Sequence, residues 1–506
     1  MREILYLQIG TYSNYIGTHF WNTQDAYYSN KESSRDIENP VDDSISFTER
    51  YSPDGNHTLY PRVLMFDWKE NFGTLTQSNA LKDIDEDRPL DEIQQNRITR
   101  STYHTQLEGN LSVDSSYPSH EEIRYWSDFS HVYYLPRSIQ RVGRLAGSEA
   151  SAVDWQEGHN QFRLYDKDHD LMDTSVRLFL EESDSIQGVQ LLNDVSDFGG
   201  FCNALLGRLG DEFAKVPALT FPIFPPGGDH VVDVDEARAA RRVINEALYL
   251  RSLQEHTTLS IPISAPQCWP EMAWILPYFS SSIVAAHVES VTLPLRTSTP
   301  QDSIGTYAAQ LFSGCGGSPF AEMGGVIPVD NSTNFGHCLA NYTNPSSQEN
   351  KDYIYSVRDV VRGFSSLERK NFESWQNSSF RHLLPTTFYH FGHPLTEPLH
   401  TILSSAGTPP LVTSFFVTTA RSSLVNSLDG IHMLSRLSTS NGLAQRFKGY
   451  ASFVDASLRR RAPGLLSVGI DLEDIRELVS DLWSIYDSYP ADSQEPESGD
   501  VESDEE

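Results

Sequence analysis

The chain has 506 residues, 39% of them apolar, and a formal charge of −31 that is still −22 once the nine acids of Asp487 to Glu506 are set aside. That length exceeds one ordinary domain and supplies a sizeable core, whereas the charge argues against nucleic acid and anionic lipid as direct partners. No apolar run has the length that a membrane span needs, and residues 1–10 carry neither a secretory signal nor an Arg- and Ser-rich presequence.

The opening MREILYLQIGTYSNYIGTHFWN alternates apolar residues through Ile4, Tyr6 and Ile9, breaks at Gly10, and resumes at helical spacing through Tyr15, Ile16, His19 and Phe20. This is a strand, a tight turn and a helix, a joint that aims free N–H groups at one point and suits an anion. Residues 22–59 and 76–122 are polar and read as surface excursions or partly helical inserts. Between them TLYPRVLMFDWKENFGTL reads as a second buried strand with Asp67 at its carboxyl end, where ligands of open α/β sheets gather.

YWSDFSHVYYLPRSI is a short apolar stretch, followed by a helix predicted over 171–182, a strand SIQGVQLL, a loop NDVSDFGG and a helix over 201–213. ALTFPIF is the next strand. Alternation of this kind through about residue 263 predicts an α/β fold with a mainly parallel, doubly wound sheet. From Cys268 onward SSSIVAAHVESVTLPLR reads as a helix and then a strand, residues 297–350 as loop-rich, and TSFFVTTA as a strand of a second, smaller α/β region. LEDIRELVSDLWSIYDSY predicts an amphipathic helix with Leu472, Ile475, Leu478, Val479, Leu482 and Ile485 on one face, and SQEPESGDVESDEE an acidic tail unable to bury anything.

The division expected is 1–263, 264–440, a helical region at 441–487 and a tail at 488–506. Cys202, Cys268, Cys315 and Cys338 have no C-x-x-C pair or zinc-like spacing, which fits a reducing compartment. The sequons at Asn56, Asn110, Asn331, Asn341 and Asn377 are accordingly expected to be unused. His382, His390, His393 and His400 crowd one segment without a metal-like spacing of acids or cysteines and read as packing or surface residues. Arg238-Arg241-Arg242 and Arg459-Arg460-Arg461 read as solvated faces. There is no P-loop, G-x-S-x-G or H-E-x-x-H motif.

Four blocks in order resemble tubulin. MREI with its Q-x-G turn, Asn14, Ile16-Gly17 and Phe20-Trp21 resembles tubulin's first nucleotide loop. YPRVLMFDWKENFGT, with Asp67 and Gly73-Thr74, resembles the second; LEESDSIQGVQLLNDVSDFGGFCNALLGRLGDEF resembles the strand, phosphate loop and helix; a last helix and an acidic tail close the chain. QLLNDVSDFGGF, YWSDFSHVYYLPRSI and VTLPLR make the closer resemblance the Misato family within the tubulin superfamily.

That resemblance implies a tubulin-like fold of a Rossmann-like GTPase-type domain, an intermediate domain and C-terminal helices. If nucleotide binding is retained, it implies GTP held by Gly10, Thr11, Tyr12, Asn14, Asp67, Gly199 and Gly200. The chemistry departs from the tubulin pattern. Tubulin's phosphate loop is glycine-rich so that phosphate can approach backbone N–H groups, whereas the matching stretch here is Asp197-Phe198-Gly199-Gly200-Phe201-Cys202-Asn203. A carboxylate 4 Å from a phosphate charge costs roughly 4 kcal/mol at an effective dielectric of 20. Gly199-Gly200 is then either a plain turn without ligand or a remnant of the pocket. In the first loop Thr11, Tyr12, Ser13 and Tyr15 replace tubulin's Gln, Cys, Gly and Gln. The acidic hydrolysis loop of tubulin-like polymers has no counterpart at 240–300, where Glu271 is an isolated acid in SAPQCWPEMAWILPYF.

The expectation is a non-polymerising pseudo-GTPase with no catalytic residue and no metal site. By resemblance it acts in mitochondrial distribution and mitochondrial DNA inheritance, as a scaffold on the cytosolic face of mitochondria and in the cytoplasm. The mitochondrial surface, tubulin or a cytosolic chaperonin are the partners implied. The alternative is a GTP-binding switch or weak GTPase.

Overall fold

A computed structural model describes residues 2–33, 41–51, 57–73, 75, 123–144, 154–225, 236–264, 276–298, 302–313, 318–331, 333–343, 353–380, 383–396, 398–399, 402–403, 430–466 and 468–489. Strand β1 (Glu3–Ile9) leads through Gly10, at φ 103°, into helix α1 (Thr11–Ser33). A left-handed φ of this kind favours glycine, so the turn that the sequence places here has its physical cause in that residue. A hairpin of β2 (Phe47–Tyr51) and β3 (His57–Pro61) precedes β4 (Val63–Trp68), and a 3-10 turn at Trp126–Phe129 precedes β5 (Ile139–Val142). Helix α2 (Trp155–His169) comes next, then β6 (Ile186–Asp194), α3 (Val195–Glu212), β7 (Ala218–Phe224), α4 (Ala237–His256) and the two short strands β8 (Leu259–Ser260) and β9 (Ile263–Ser264).

These strands form one parallel sheet in the order β5-β4-β1-β6-β7-β8, with β9 also pairing β7. Alternation along β1 sends Leu5, Leu7 and Ile9 into one core and Ile4 and Tyr6 into the other, so both faces of the sheet are covered. The chain order reverses on either side of β1, which places a crevice at the carboxyl ends of β1, β4 and β6, the usual ligand position of such sheets.

Helix α5 (Pro277–Thr292) starts on a proline and is buried on every side, lying between α1 and a second sheet. That sheet has the order β11 (Ala340–Asn341), β10 (Glu322–Val326), β14 (Met433–Ser440), β12 (Ile354–Arg362), β13 (Thr387–Tyr389), antiparallel except for the β12–β13 pair. Helix α6 (Ser366–Ser379), started by a Ser365/Glu368 capping box, follows β12. Helices α7 (Gly442–Arg460) and α8 (Leu472–Asp487) pack on each other and on α4.

Several sequence expectations need correction. Of the surface excursion or partly helical insert expected from residue 22, the first part is the continuation of α1, and residues 47–61 form the hairpin. The polar residues there are internal: Asn22 donates to the Phe129 carbonyl and accepts from the His131 N–H, and Thr23 donates to the His19 carbonyl. NDVSDFGG is no loop, since β6 runs to Asp194 and α3 starts at Val195.

VTLPLR is no strand but the end of α5 and a 3-10 turn at Leu293–Leu295, where the Thr292 hydroxyl bonds back to the Val288 carbonyl. Residues 297–350 contain a two-turn helix at Ile304–Leu311 and strand β10 as well as loops. The helix expected over 171–182 is preceded by α2 and opens with a π-turn at Met172–Val176. In α8 the face is Ile475, Leu478, Leu482 and Ile485, all buried, whereas Leu472 is 43% exposed. TSFFVTTA, the acidic tail, the insert at 76–122, Cys268, Cys315, Glu271, His382 and His400 lie outside the described residues.

Candidate functional site

Three adjacent parallel strands deliver the residues at the crevice: Gly10 follows β1, Asp67 is next to last in β4, and Asp194 ends β6. The Asp67 carboxylate is fully buried and fully engaged. Its Oδ1 accepts from the Thr11 hydroxyl at 3.0 Å, the Trp68 N–H at 2.8 Å and Asn71 Nδ2 at 2.9 Å. Its Oδ2 accepts from Trp126 Nε1 at 3.0 Å and Asn14 Nδ2 at 3.3 Å. Burial pushes its pKa up to about 6 against the Asn71, Trp68, Thr11 and Asn14 hydrogen bonds, which pull it down.

Asp194 reaches the start of α1. One carboxylate oxygen accepts from the Tyr12 N–H at 2.8 Å, and the other from the Ser13 N–H at 2.9 Å and the Ser13 hydroxyl at 2.7 Å. A Cβ added at Gly10 would lie 2.6 Å from Asp194 Oδ2, so glycine is needed for the approach as well as for the turn. Enclosure pushes the Asp194 pKa up to about 7, with Ser13 and Tyr12 lowering it and the charges of Asp197 and Asp67 raising it. The free N–H groups and positive end of α1, where the strand-turn-helix joint points to an anion, are therefore taken by an acid side chain of the chain itself.

Among the residues expected from the sequence, the structure brings together Gly10, Thr11, Tyr12, Asn14 and Asp67. Asn14 also donates to the Phe66 carbonyl at 3.0 Å, and the Tyr12 hydroxyl donates to Ser280 on α5 at 2.8 Å. Gly199 and Gly200 lie inside α3, where Gly200 serves a helix crossing. A Cβ on Gly200 would stand 2.3 Å from the Trp155 carbonyl oxygen of α2 and 3.3 Å from the Gly158 Cα, so two backbones meet there. Phe198 stacks on Trp68 at 4.5 Å and Phe201 meets Phe66 at 5.7 Å, so the side chains that replace glycine in this stretch fill the core beneath the crevice.

Sequence reasoning missed Asp194, Asn71 and Trp126 as members of this cluster, whereas Ser13 was expected as a possible donor of the first loop. Asp194 was open to the inference applied to Asp67, an acid at the carboxyl end of a parallel strand. Trp126 had no such signal, because it arrives from a segment far along the chain.

A family model described as a tubulin domain matches residues 115–297, and one described as the Misato Segment II tubulin-like domain matches residues 2–129. With the parallel sheet and its crevice, these matches define the class: a tubulin-like protein. Protein DML1 of Coccidioides immitis is 34% identical over 312 residues, covering 58% of both chains. Protein dml1 of Aspergillus clavatus is 30% identical over 400 residues, covering 72% of this chain and 77% of its own. Protein misato homolog 1 of Homo sapiens is 26% identical over 386 residues, 65% of each. The chain belongs to the DML1/Misato family of tubulin-like proteins. Its alignments to the Coccidioides immitis and Aspergillus niger relatives span 58% and 62% of those proteins' lengths.

Proposed function

We propose that this protein is a non-polymerising scaffold of the DML1/Misato family, acting in mitochondrial distribution and mitochondrial DNA inheritance through protein partners on the cytosolic side of the organelle. The observation that carries the non-nucleotide part is the Asp194 carboxylate on the Tyr12 and Ser13 N–H groups, the donors a phosphate would use. A triphosphate would have to displace that carboxylate and then lie beside two acids, Asp194 and Asp67, in a setting that already raises the pKa of both. Asp67, with both oxygens taken by protein donors, has no lone pair directed to a magnesium ion without breaking one of those bonds.

The mitochondrial role rests on family membership. The net charge of −31 supports an indirect effect on DNA, through organelle distribution or partners, over direct binding.

Calorimetric titration of nucleotide-stripped protein with GTP and GDP in magnesium tests the first part, with no saturable heat expected up to millimolar nucleotide. Micromolar binding would overturn it in favour of a GTP-regulated switch. Depletion in the host followed by re-expression tests the second, with mitochondrial distribution and mitochondrial DNA content as readouts. Unchanged mitochondria after depletion would sink the mitochondrial role whatever the titration gives.

A further inference from the structure

A buried ionic cluster joins α1, α5 and the second sheet. Glu289 of α5 receives Arg296 Nη2 on Oε1 at 3.1 Å and Arg362 Nη1 on Oε2 at 2.5 Å. Gln24 and Tyr27 of α1 also donate to Oε1, at 3.4 and 3.3 Å. Glu289, Arg296 and Arg362 are 0% exposed, and His393, whose Nε2 is 3.8 Å from Oε2, is 1% exposed. Burial lowers the His393 pKa to about 4, so the ring is neutral near pH 7. Among the described residues of the cluster, two guanidinium charges therefore face one carboxylate, an excess of one positive charge.

The donors are in excess as well. Arg296 Nε and Nη1 and Arg362 Nε have no hydrogen-bond partner among the described residues. The guanidinium faces are covered by aromatic rings, Arg296 over Phe20 at 4.9 Å and Arg362 over Phe391 at 5.0 Å and Tyr27 at 5.7 Å, which leaves their edges to bond. Each buried donor left unsatisfied is unfavourable, and an uncompensated buried charge more so. Water would satisfy the N–H groups and leave the charge. A small anion does both.

We propose that the Glu289–Arg296–Arg362 cluster binds a monatomic inorganic anion of the chloride type at the free guanidinium edges, and that this ion helps to fasten α1 and α5 to the second sheet. A halide suits a site with few donors enclosed by aromatic carbon better than a polyatomic oxyanion, which needs more donors than remain here.

The test compares thermal unfolding of the full chain in sodium chloride and in sodium gluconate at equal ionic strength, so that screening is common to both. The expected result is a saturable rise of the midpoint with chloride alone, as for a ligand bound only by the folded state, and its loss in Arg296→Met, which leaves Glu289 and Arg362 as a balanced pair. Crystals of the wild-type protein soaked in bromide supply a readout that does not depend on the variant folding. An anomalous peak within hydrogen-bonding distance of Arg296 or Arg362 supports the site. Equal midpoints in both salts with no such peak would assign the donors to water and overturn the proposal, as would bromide found at the surface only, which would mark an adventitious ion only.

Discussion

At the head of α1, Asp194 occupies the N–H groups that a bound phosphate would use. A carboxylate on the first N–H groups of a helix contributes as an N-terminal cap does, so Asp194→Ala is expected to lose about 1 kcal/mol of stability, read as a lower urea midpoint at unchanged slope. The same change frees the Tyr12 and Ser13 N–H groups. Calorimetry on Asp194→Ala is expected to show a gain of weak GTP or pyrophosphate binding over wild type, and no gain would mean that more than this carboxylate closes the crevice. Folding raises the pKa of Asp194 to about 7 and of Asp67 to about 6, above the ordinary 3.8. The folded state thus holds protons that the unfolded chain releases, and the contribution of these two acids to stability falls as pH rises from 3.8 through about 6 to 7. Asp194→Asn is expected to flatten that limb in unfolding midpoints measured from pH 4 to 8.

The joint between β6 and α3 shows how an element escapes sequence reasoning. Gly199-Gly200 carries the usual sign of a turn, yet glycine also allows two helices to touch backbone to backbone, and here the second need prevails because Trp155 and Gly158 of α2 press on Gly200. Gly200→Ala would force the Trp155 carbonyl to move, a backbone atom that cannot rotate away, and overpacking of this kind costs about 1–3 kcal/mol. Urea denaturation checks it: an unchanged midpoint would show that α2 can recede. Helix α8, by contrast, was legible because its period alone states which residues are buried, with Leu472 at its start exposed and Val479 half-buried. VTLPLR misled because β-branched residues favour strands in general, whereas α5 is enclosed on all sides and its packing overrides that preference.

Across the whole molecule, buried polar groups link α1, α5 and both sheets. Glu289→Gln would leave Arg296 and Arg362 without their carboxylate, and breaking a buried pair in this way costs about 3–5 kcal/mol. Chemical denaturation is expected to show that loss, and a loss below 1 kcal/mol would mean that the two guanidinium groups find other compensation. Glu289 itself, held at about 2 by its arginines, contributes stability above 4.5 that disappears as pH falls toward 2. His19 and His287, lowered to about 3, and His393, lowered to about 4, stay neutral in the fold and are protonated in the unfolded chain below 6.5. Their contribution falls as pH drops from 6.5 toward 4 and below, each adding a slope of up to ~1.4 kcal/mol per pH unit. His287→Gln is expected to be less acid-sensitive than wild type in the same pH series.

The sequence alone determined the parallel sheet, the glycine turn after β1, Asp67 at a strand end, the amphipathic α8 and the family. Each of these rests on a local period or on a residue whose backbone or charge has one main use. Tertiary structure alone decided that Asp194 would fill the anion seat, that Gly200 would serve a helix crossing, and that α1 would carry buried polar groups into the second sheet's core. Those outcomes depend on which distant group arrives opposite a given N–H, carboxylate or Cα, and a linear pattern specifies what a residue can bond without specifying what will stand beside it.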